Sequence, residues 1–230
     1  MSQHVRVVAI VVASAALLAA GCSTEVSGTA RPEMGSSASG TSSRTLGELL
    51  LEPEAFPPRY QAVILPPQAV AQAAPDLTGI PPNAKVHPAG CKPSAQDYGP
   101  DGTAMVVGTD NADRSTLTVE LIRATAPLAE LEAQIAQCPE VTVTLNAVDS
   151  VVRTDLTRPP ASVDADTTVA LRRSVTSGRL GKTVIQSMRT LITQIDGVRI
   201  QVTHMSFGDV ADPSALDAVF TAVVQKVRAG

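Results

Sequence analysis

Residues 167–206, TTVALRRSVTSGRLGKTVIQSMRTLITQIDGVRIQVTHMS, decide the fold. Three long strand patterns rich in Val, Ile and Thr occupy residues 167–176, 183–195 and 198–206. The Asp196-Gly197 pair between the last two is typical of a type I′ hairpin turn, because both central residues of that turn need a positive φ. Residues 177–181 supply the other turn. The stretch therefore predicts an antiparallel meander of three strands.

The sequence before and after this meander extends the sheet and adds helices. Residues 103–108 and 115–124 predict a hairpin, residues 140–148 a half-buried strand, and residues 59–65 a short edge strand framed by prolines. Helical spacing of apolar residues predicts helices over residues 45–51, 68–74, 127–138 and 212–228. We therefore expect an α+β fold, in which a twisted antiparallel sheet of about six strands has helices packed mainly on one face.

The N-terminal 21 residues have the anatomy of an export signal. A weakly basic start is followed by an apolar run over residues 7–18, which is shorter than the about 20 residues that span a bilayer. Ala19-Ala20-Gly21 then precedes Cys22, as in a lipobox with Ala at its first position. We expect residues 1–21 to be removed and Cys22 to carry diacylglycerol and an amide-linked chain such as palmitate. The alternative is a secreted protein in which Cys22 is a spare thiol.

The composition changes at Cys22 and again near residue 45, which predicts the domain organisation. Residues 22–44 are rich in Ser, Gly and Thr and predict a flexible lipidated tether. Residues 45–230 have the length of a single globular domain. The sequence thus predicts one domain on the extracytoplasmic face of the cell membrane, held there by a lipid anchor.

Two cysteines remain in the expected mature domain, Cys91 and Cys138. In an oxidising compartment two thiols favour one intramolecular disulfide. Catalytic use of one cysteine, with His87 or His204 as its base, is the alternative. Two Cys and two His spread over residues 87–204 lack the close paired spacing of zinc sites, so no metal is expected.

The composition also excludes several classes of partner and chemistry. A net charge of −4 and a pI near 5.4 argue against nucleic acid, whose binding needs clustered Lys and Arg. Phosphate loops, nucleophile elbows and zinc-protease motifs are absent, so we expect no cofactor and no enzymatic activity. His204 alternates with apolar residues in its strand pattern, which is typical of a partly buried structural histidine.

Three arginines on the meander are the candidate ligand-binding residues. Arg173, Arg189 and Arg199 lie on adjoining strand patterns and would form a cationic patch for anionic lipid headgroups or glycans. A solvated face of the sheet, with no ligand, is the alternative.

Four features resemble a family of uncharacterised actinobacterial, chiefly mycobacterial, lipoproteins. They are the Ala19-Ala20-Gly21-Cys22 end, the Val26-Ser27-Gly28-Thr29-Ala30 tether, the Phe56-Pro57-Pro58-Arg59-Tyr60 segment and the placement of the two cysteines. More distantly, the arrangement is similar to the extracellular sensor domain of mycobacterial serine/threonine kinases. That resemblance implies an antiparallel sheet with helices, disulfides and a cleft.

These observations favour a non-enzymatic envelope domain that binds a lipid, a glycan, another small ligand or a neighbouring protein. The second hypothesis is a lipid or glycolipid carrier, which predicts a cavity lined by aliphatic side chains. The third is an envelope hydrolase, which predicts converging Ser, His and carboxylate groups near His204.

Overall fold

The computed structural model describes residues 44–161, 168–179, 182–208 and 210–230. Within these residues the chain forms one antiparallel sheet of nine strands. Its strands are β1 Gln61–Ile64, β2 Lys85–His87, β3 Thr103–Asp110, β4 Ser115–Arg123, β5 Glu140–Leu145, β6 Val148–Thr157, β7 Thr168–Arg179, β8 Lys182–Ile195 and β9 Val198–Phe207. The predicted signal peptide, Cys22 and nearly all of the predicted tether lie outside the described residues.

The strand order is β1-β3-β4-β9-β8-β7-β6-β5-β2. The predicted meander forms β7, β8 and β9, which pair as successive antiparallel neighbours. Asp196 and Gly197 have φ values of 47° and 77°, as the predicted type I′ turn requires. The meander and β4 therefore form the middle of the sheet, and the shortest strands, β1 and β2, form its edges.

Four α-helices accompany the sheet in the part of the chain that the structure describes: α1 Leu46–Leu49, α2 Pro67–Ala73, α3 Leu128–Gln137 and α4 Pro213–Ala229. Among these residues, no helix is both long and apolar enough to cross a membrane. The sheet lies between two helical layers, with α1 and α4 on one face and α2 and α3 on the other.

The α4 face carries the main core. Alternate residues of the central strands point to it, including Leu117 and Val119 of β4 and Ile200 of β9. They pack against Phe220 and Val223 of α4, which are 2% and 0% exposed. Asp212 caps this helix by accepting a hydrogen bond from the Ala215 N–H, so α4 begins where the sequence predicts.

The opposite face has a divided core. Three small buried clusters lie on it, centred on Val70 of α2, on Val141 and Val143 near β2, and on Ile192 beneath α3. Between these clusters the sheet carries buried polar side chains, among them Glu120 and Thr190.

Two expectations about the fold are corrected. The sheet has nine strands rather than about six, and the strands that were not expected include β2, which lies in a Pro- and Gly-rich stretch. β2 has only three residues and depends on pairing with β5, so no local sequence pattern predicts it. The helices are not mainly on one face, because the central strands bury apolar residues on both sides: the adjacent residues Leu191 and Ile192 belong to different clusters.

Candidate ligand-binding cleft

A cleft of about 590 Å³ opens on the face of the sheet opposite α4. Side chains of β4, β9, β8, β7 and β6 form its floor. Its walls come from α3, from residues 93–97 and from residues 123–126. The cleft therefore lies among the small clusters of this face, whose residues line part of it.

Glu120 of β4 lies at one end of the floor and is 2% exposed. Gln96 Nε2 donates to its Oε1 at 2.7 Å, and Gln201 Nε2 donates to its Oε2 at 3.3 Å. Burial raises the pKa of Glu120 to about 7, although the hydrogen bond from Gln96 acts in the opposite direction. The fold therefore favours the neutral form of this carboxyl group more than water does.

Arg173 of β7 lies at the other end. Its Nε donates to Thr154 Oγ1 at 3.1 Å, and its Nη1 donates to the Leu77 carbonyl oxygen at 2.7 Å. Burial lowers the pKa of Arg173 to about 10, so the side chain is still a cation at neutral pH. Among the described residues, no carboxylate oxygen lies within ion-pair distance of its guanidinium group.

The floor between these two groups has both apolar and polar side chains. Leu171 and Ile192 form an aliphatic patch, Leu131 and Ile135 of α3 pack above them, and polar side chains of the two intervening strands lie beside them: Thr190 and Gln201. Two strands, β9 and β8, separate Glu120 from Arg173, so their backbones are at least about 14 Å apart at about 4.8 Å per strand spacing. The cleft thus has a titratable carboxyl towards one end, the cation of Arg173 towards the other, and an aliphatic patch on the floor between them.

A disulfide joins Cys91 to Cys138, as the cysteine count predicts, with a Cα–Cα distance of 5.7 Å. Both cysteines line the cleft. Cys138 directly follows α3, and Cys91 belongs to the segment that leads to Gln96. The bridge therefore ties the helical wall of the cleft to its loop wall.

The structure separates the three candidate arginines. Arg199 lies at the edge of the cleft, where its Nη2 donates to the Ala126 carbonyl oxygen at 3.0 Å. Arg173 lies on the cleft floor, but Arg189 is exposed on the other face of the sheet, opposite His204 in the register. The predicted three-arginine patch is therefore wrong, because Arg189 differs from the other two in the side of the sheet to which it points.

His204 belongs to a second polar cluster, on the α4 face. It is 2% exposed, as a structural histidine would be, and burial lowers its pKa. Its Nε2 has no hydrogen-bond partner among the described residues. Asp212 accepts hydrogen bonds from Arg59, Tyr60 and Ser214 rather than from His204. Ser, His and Asp are thus near one another here, but hydrogen bonds do not link them into a catalytic relay.

Sequence reasoning missed Glu120. The available signal was one acidic residue in a strand, STLTVELIR, whose other residues before the final Arg123 are apolar or carry a hydroxyl group. Such a residue has to be either exposed on a wet face or held by polar partners in a buried site. Gln96 and Gln201 are those partners, but they lie 24 and 81 residues away along the chain.

Residues 52–225 match the family model described as a domain of unknown function, DUF5642. The chain belongs to the DUF5642 family. The expected membership of an uncharacterised family is confirmed at this level. All the residues that line the cleft fall inside the DUF5642 match, so the cleft is a feature of the domain itself.

Comparison with solved structures shows a likeness to the extracellular domain of PknH from Mycobacterium tuberculosis. The two chains are 13% identical, with a TM-score of 0.40, and the alignment covers 78% of this chain and 98% of that chain. The search of curated proteins returned no significant match to the DUF5642 chain.

Proposed function

We propose that this protein is a lipoprotein of the cell envelope, anchored through Cys22, whose DUF5642 domain binds a small ligand without transforming it. The ligand lies in the cleft between α3 and the sheet. The observation that carries the proposal is a cleft in which an aliphatic patch, Leu171 and Ile192, lies between two groups that can carry charge, Glu120 and Arg173.

The dimensions and lining of the cleft support a ligand site. Ligand pockets commonly measure about 300–1,000 Å³, with mostly apolar walls and a few polar groups that fix orientation. The cleft, at about 590 Å³, falls within that range. Both oxygens of Glu120 accept hydrogen bonds from glutamine amides, which holds the carboxyl in one orientation and suits recognition.

The sequence supports the lipid anchor and the location outside the cytoplasm. An export signal, a cysteine at its end and a Ser/Gly/Thr-rich tether occur in the order found in lipoproteins. The Cys91–Cys138 disulfide agrees with an oxidising compartment outside the cytoplasm.

A lipid or glycolipid carrier is the second candidate, favoured by the aliphatic patch on the floor of the cleft. The polar groups argue for the binding module, because an acyl chain that covered Arg173 would remove its remaining solvation without replacing it.

Native mass spectrometry of the full chain, purified from membranes of an actinobacterial host, tests ligand binding. A stoichiometric small polar molecule supports the proposal, and a stoichiometric lipid supports the carrier instead. Ala126→Trp, at the wall of the cleft, should reduce occupancy, whereas Ala129→Trp, on the exposed side of α3, should not. Equal occupancy in both variants would contradict the placement of the ligand in the cleft.

Mass spectrometry and membrane fractionation test the anchor separately from the cleft. The mass of Cys22→Ser should lack the acyl chains and diacylglycerol, since no thiol remains to form the thioether. The matched change Ser23→Ala should leave both the acyl mass and the membrane fraction unchanged. An unacylated wild-type chain would overturn the lipoprotein assignment without affecting the cleft.

A further inference from the structure

The described residues form hydrogen bonds with only part of the Arg173 guanidinium group. Nε and Nη1 donate to Thr154 and to the Leu77 carbonyl, both of which are neutral acceptors. Nη2 donates to no described residue, although the guanidinium group is largely shielded from water and lines the cleft. A partly buried cation thus faces a cavity without an anionic partner among the described residues.

A buried cation is stabilised less well by neutral acceptors than by an opposite charge. Moving a charge out of water is unfavourable unless an opposite charge or several hydrogen bonds compensate for it. The planar guanidinium matches the two oxygens of a carboxylate or phosphate, and bonds between such charged groups are stronger than those to neutral acceptors. A ligand anion would therefore gain more from Arg173 than a neutral group of the same shape.

We infer that the cleft recognises an anionic group, a carboxylate or a phosphate, through the guanidinium of Arg173. The apolar part of the ligand lies over Leu171 and Ile192, towards Glu120. This inference rests on the proposed function and adds the chemical class of the ligand. Arg199 lies nearer the edge of the cleft and is held by Gln194 and the Ala126 carbonyl, so it is not the main anion contact.

A purely structural role for Arg173 makes a different prediction. Arg173 clamps the segment that contains Leu77 onto β7 and β6, so its removal will lower stability under either interpretation. Only anion recognition makes the charge of the ligand matter. The test therefore compares two ligands that differ in charge and little else.

Pentanoate and pentanamide are such a pair, since they have the same chain length and nearly the same shape. Dissociation constants for the full chain are measured by ligand-observed NMR at pH 8, with inorganic phosphate as a competitor. We expect pentanoate to bind about tenfold more tightly than pentanamide, as the difference between a charged and a neutral hydrogen bond predicts. Competition by phosphate would place phosphate-bearing molecules in the same class, and lack of competition would restrict the ligand to carboxylates.

Variants assign the effect to Arg173. Arg173→Met should abolish the preference for pentanoate, whereas Arg189→Met, which removes the same charge from the exposed opposite face, should retain it. Arg173→Lys keeps the charge and serves if Arg173→Met does not fold; it should weaken the preference because the planar fork is lost.

Equal affinities for pentanoate and pentanamide in the wild-type chain, or a preference that survives Arg173→Met, would overturn the inference. Binding of both probes with equal affinity, blocked by Ala126→Trp, would refute the anion preference but leave the cleft as a ligand site. Failure of pentanoate to bind at any soluble concentration also overturns it, and the co-purification experiment then decides the proposed function by itself.

Discussion

Glu120 shows how strongly the fold alters the chemistry of one residue. In the unfolded chain its carboxyl has an ordinary pKa of 4.5, and in the folded protein burial raises that value to about 7. Two glutamine amides satisfy its oxygens but do not supply a positive charge. Between these two pH values the folded state binds a proton that the unfolded state releases.

The free energy of unfolding should therefore fall as the pH rises from 4.5 to 7, because ionising Glu120 opposes folding. A change of pKa from 4.5 to about 7 corresponds to about 3 kcal/mol across this interval. Glu120→Gln should remove this contribution, since its amide is neutral at every pH. Urea titrations of both proteins at several pH values measure the difference, with the exposed Glu130→Gln as the control. Parallel pH profiles for the wild type and Glu120→Gln would contradict the prediction.

The burial of His204 should make stability depend on pH in the opposite direction from the burial of Glu120. Burial lowers its pKa below the ordinary 6.5; the charges of Asp212 and Asp113 oppose this effect, and those of Arg59 and Arg189 add to it. The unfolded state then binds the proton first, so stability is lost as the pH falls below 6.5.

We expect His204→Leu to lose less stability than the wild type on acidification below pH 6.5, because no buried imidazole then has to be charged. The exposed His87→Leu is the matched control and should keep the wild-type pH dependence. Thermal unfolding at pH 7 and at pH 5 measures both. An equal loss in His204→Leu and wild type would show that His204 does not control acid sensitivity.

At the scale of elements, the disulfide holds the two walls of the cleft. The double variant Cys91→Ser/Cys138→Ser should lower the free energy of unfolding by about 2–4 kcal/mol, because the unfolded chain regains the freedom of a long loop. Urea unfolding with and without a reducing agent measures this. Reduction should destabilise the wild type by a similar amount and leave the double variant unchanged. A wild type that is insensitive to complete reduction would refute the prediction.

The start of α4 depends on one side chain with several partners. Asp212 accepts hydrogen bonds from the Ala215 N–H at 3.2 Å and from the Tyr60 hydroxyl at 3.1 Å, and it forms an ion pair with Arg59. Burial raises the pKa of Asp212, but the hydrogen bonds from Ala215, Ser214 and Tyr60, together with Arg59, outweigh this and hold the pKa below its usual range.

Asp212→Ala should lower the free energy of unfolding by about 1–2 kcal/mol through the lost cap. Asp212→Asn keeps a capping oxygen but loses the charge, so it should cost less than Asp212→Ala. Chemical denaturation of the three proteins measures the order. If the two variants were equally unstable, the ion pair with Arg59 rather than the cap would be the important contact.

At the scale of the whole molecule, the strands of the sheet should differ in their protection from amide hydrogen exchange. β4, β9 and β8 lie in its middle, paired on both edges, whereas β1 and β2 are short strands at the two ends of the order. Backbone amides exchange slowly where opening requires most of the fold to unfold.

Amide hydrogen exchange followed by mass spectrometry should show the slowest exchange in β4, β8 and β9. β1 and β2 should exchange much faster, because each can separate from a single neighbouring strand without disturbing the core. Slow exchange throughout β2, comparable with that of β9, would contradict this order.

Local patterns predicted much of the fold. The Asp196-Gly197 turn, the three strands of the meander, the 103–124 hairpin and the Asp212 cap all depend on neighbours in the chain. Each was therefore visible in a short window of sequence. The edge strand β2 was not visible, because its three residues take their strand conformation from pairing with β5.

The candidate site was much less predictable, because its parts come from distant segments. The sequence predicted Arg173 and Arg199 as ligand-binding residues, but it could not show that Arg189 lies on the other face of the sheet. The side to which each arginine points depends on the registers of β7, β8 and β9. The buried position of Glu120 depends on hydrogen bonds from Gln96 and Gln201, which only the folded sheet and its loops bring close to it.

The sequence by itself determined most of the elements, the main turn and the α4 cap, and the pair of cysteines available for a disulfide, since these follow from local geometry and from residue counts. The tertiary structure alone decided that helices cover both faces, that a cleft remains between the small clusters of one face, and that Glu120 and Arg173 occupy its ends. The physical reason is that burial and charge environment depend on atoms distant in sequence, which only strand register and helix packing bring together.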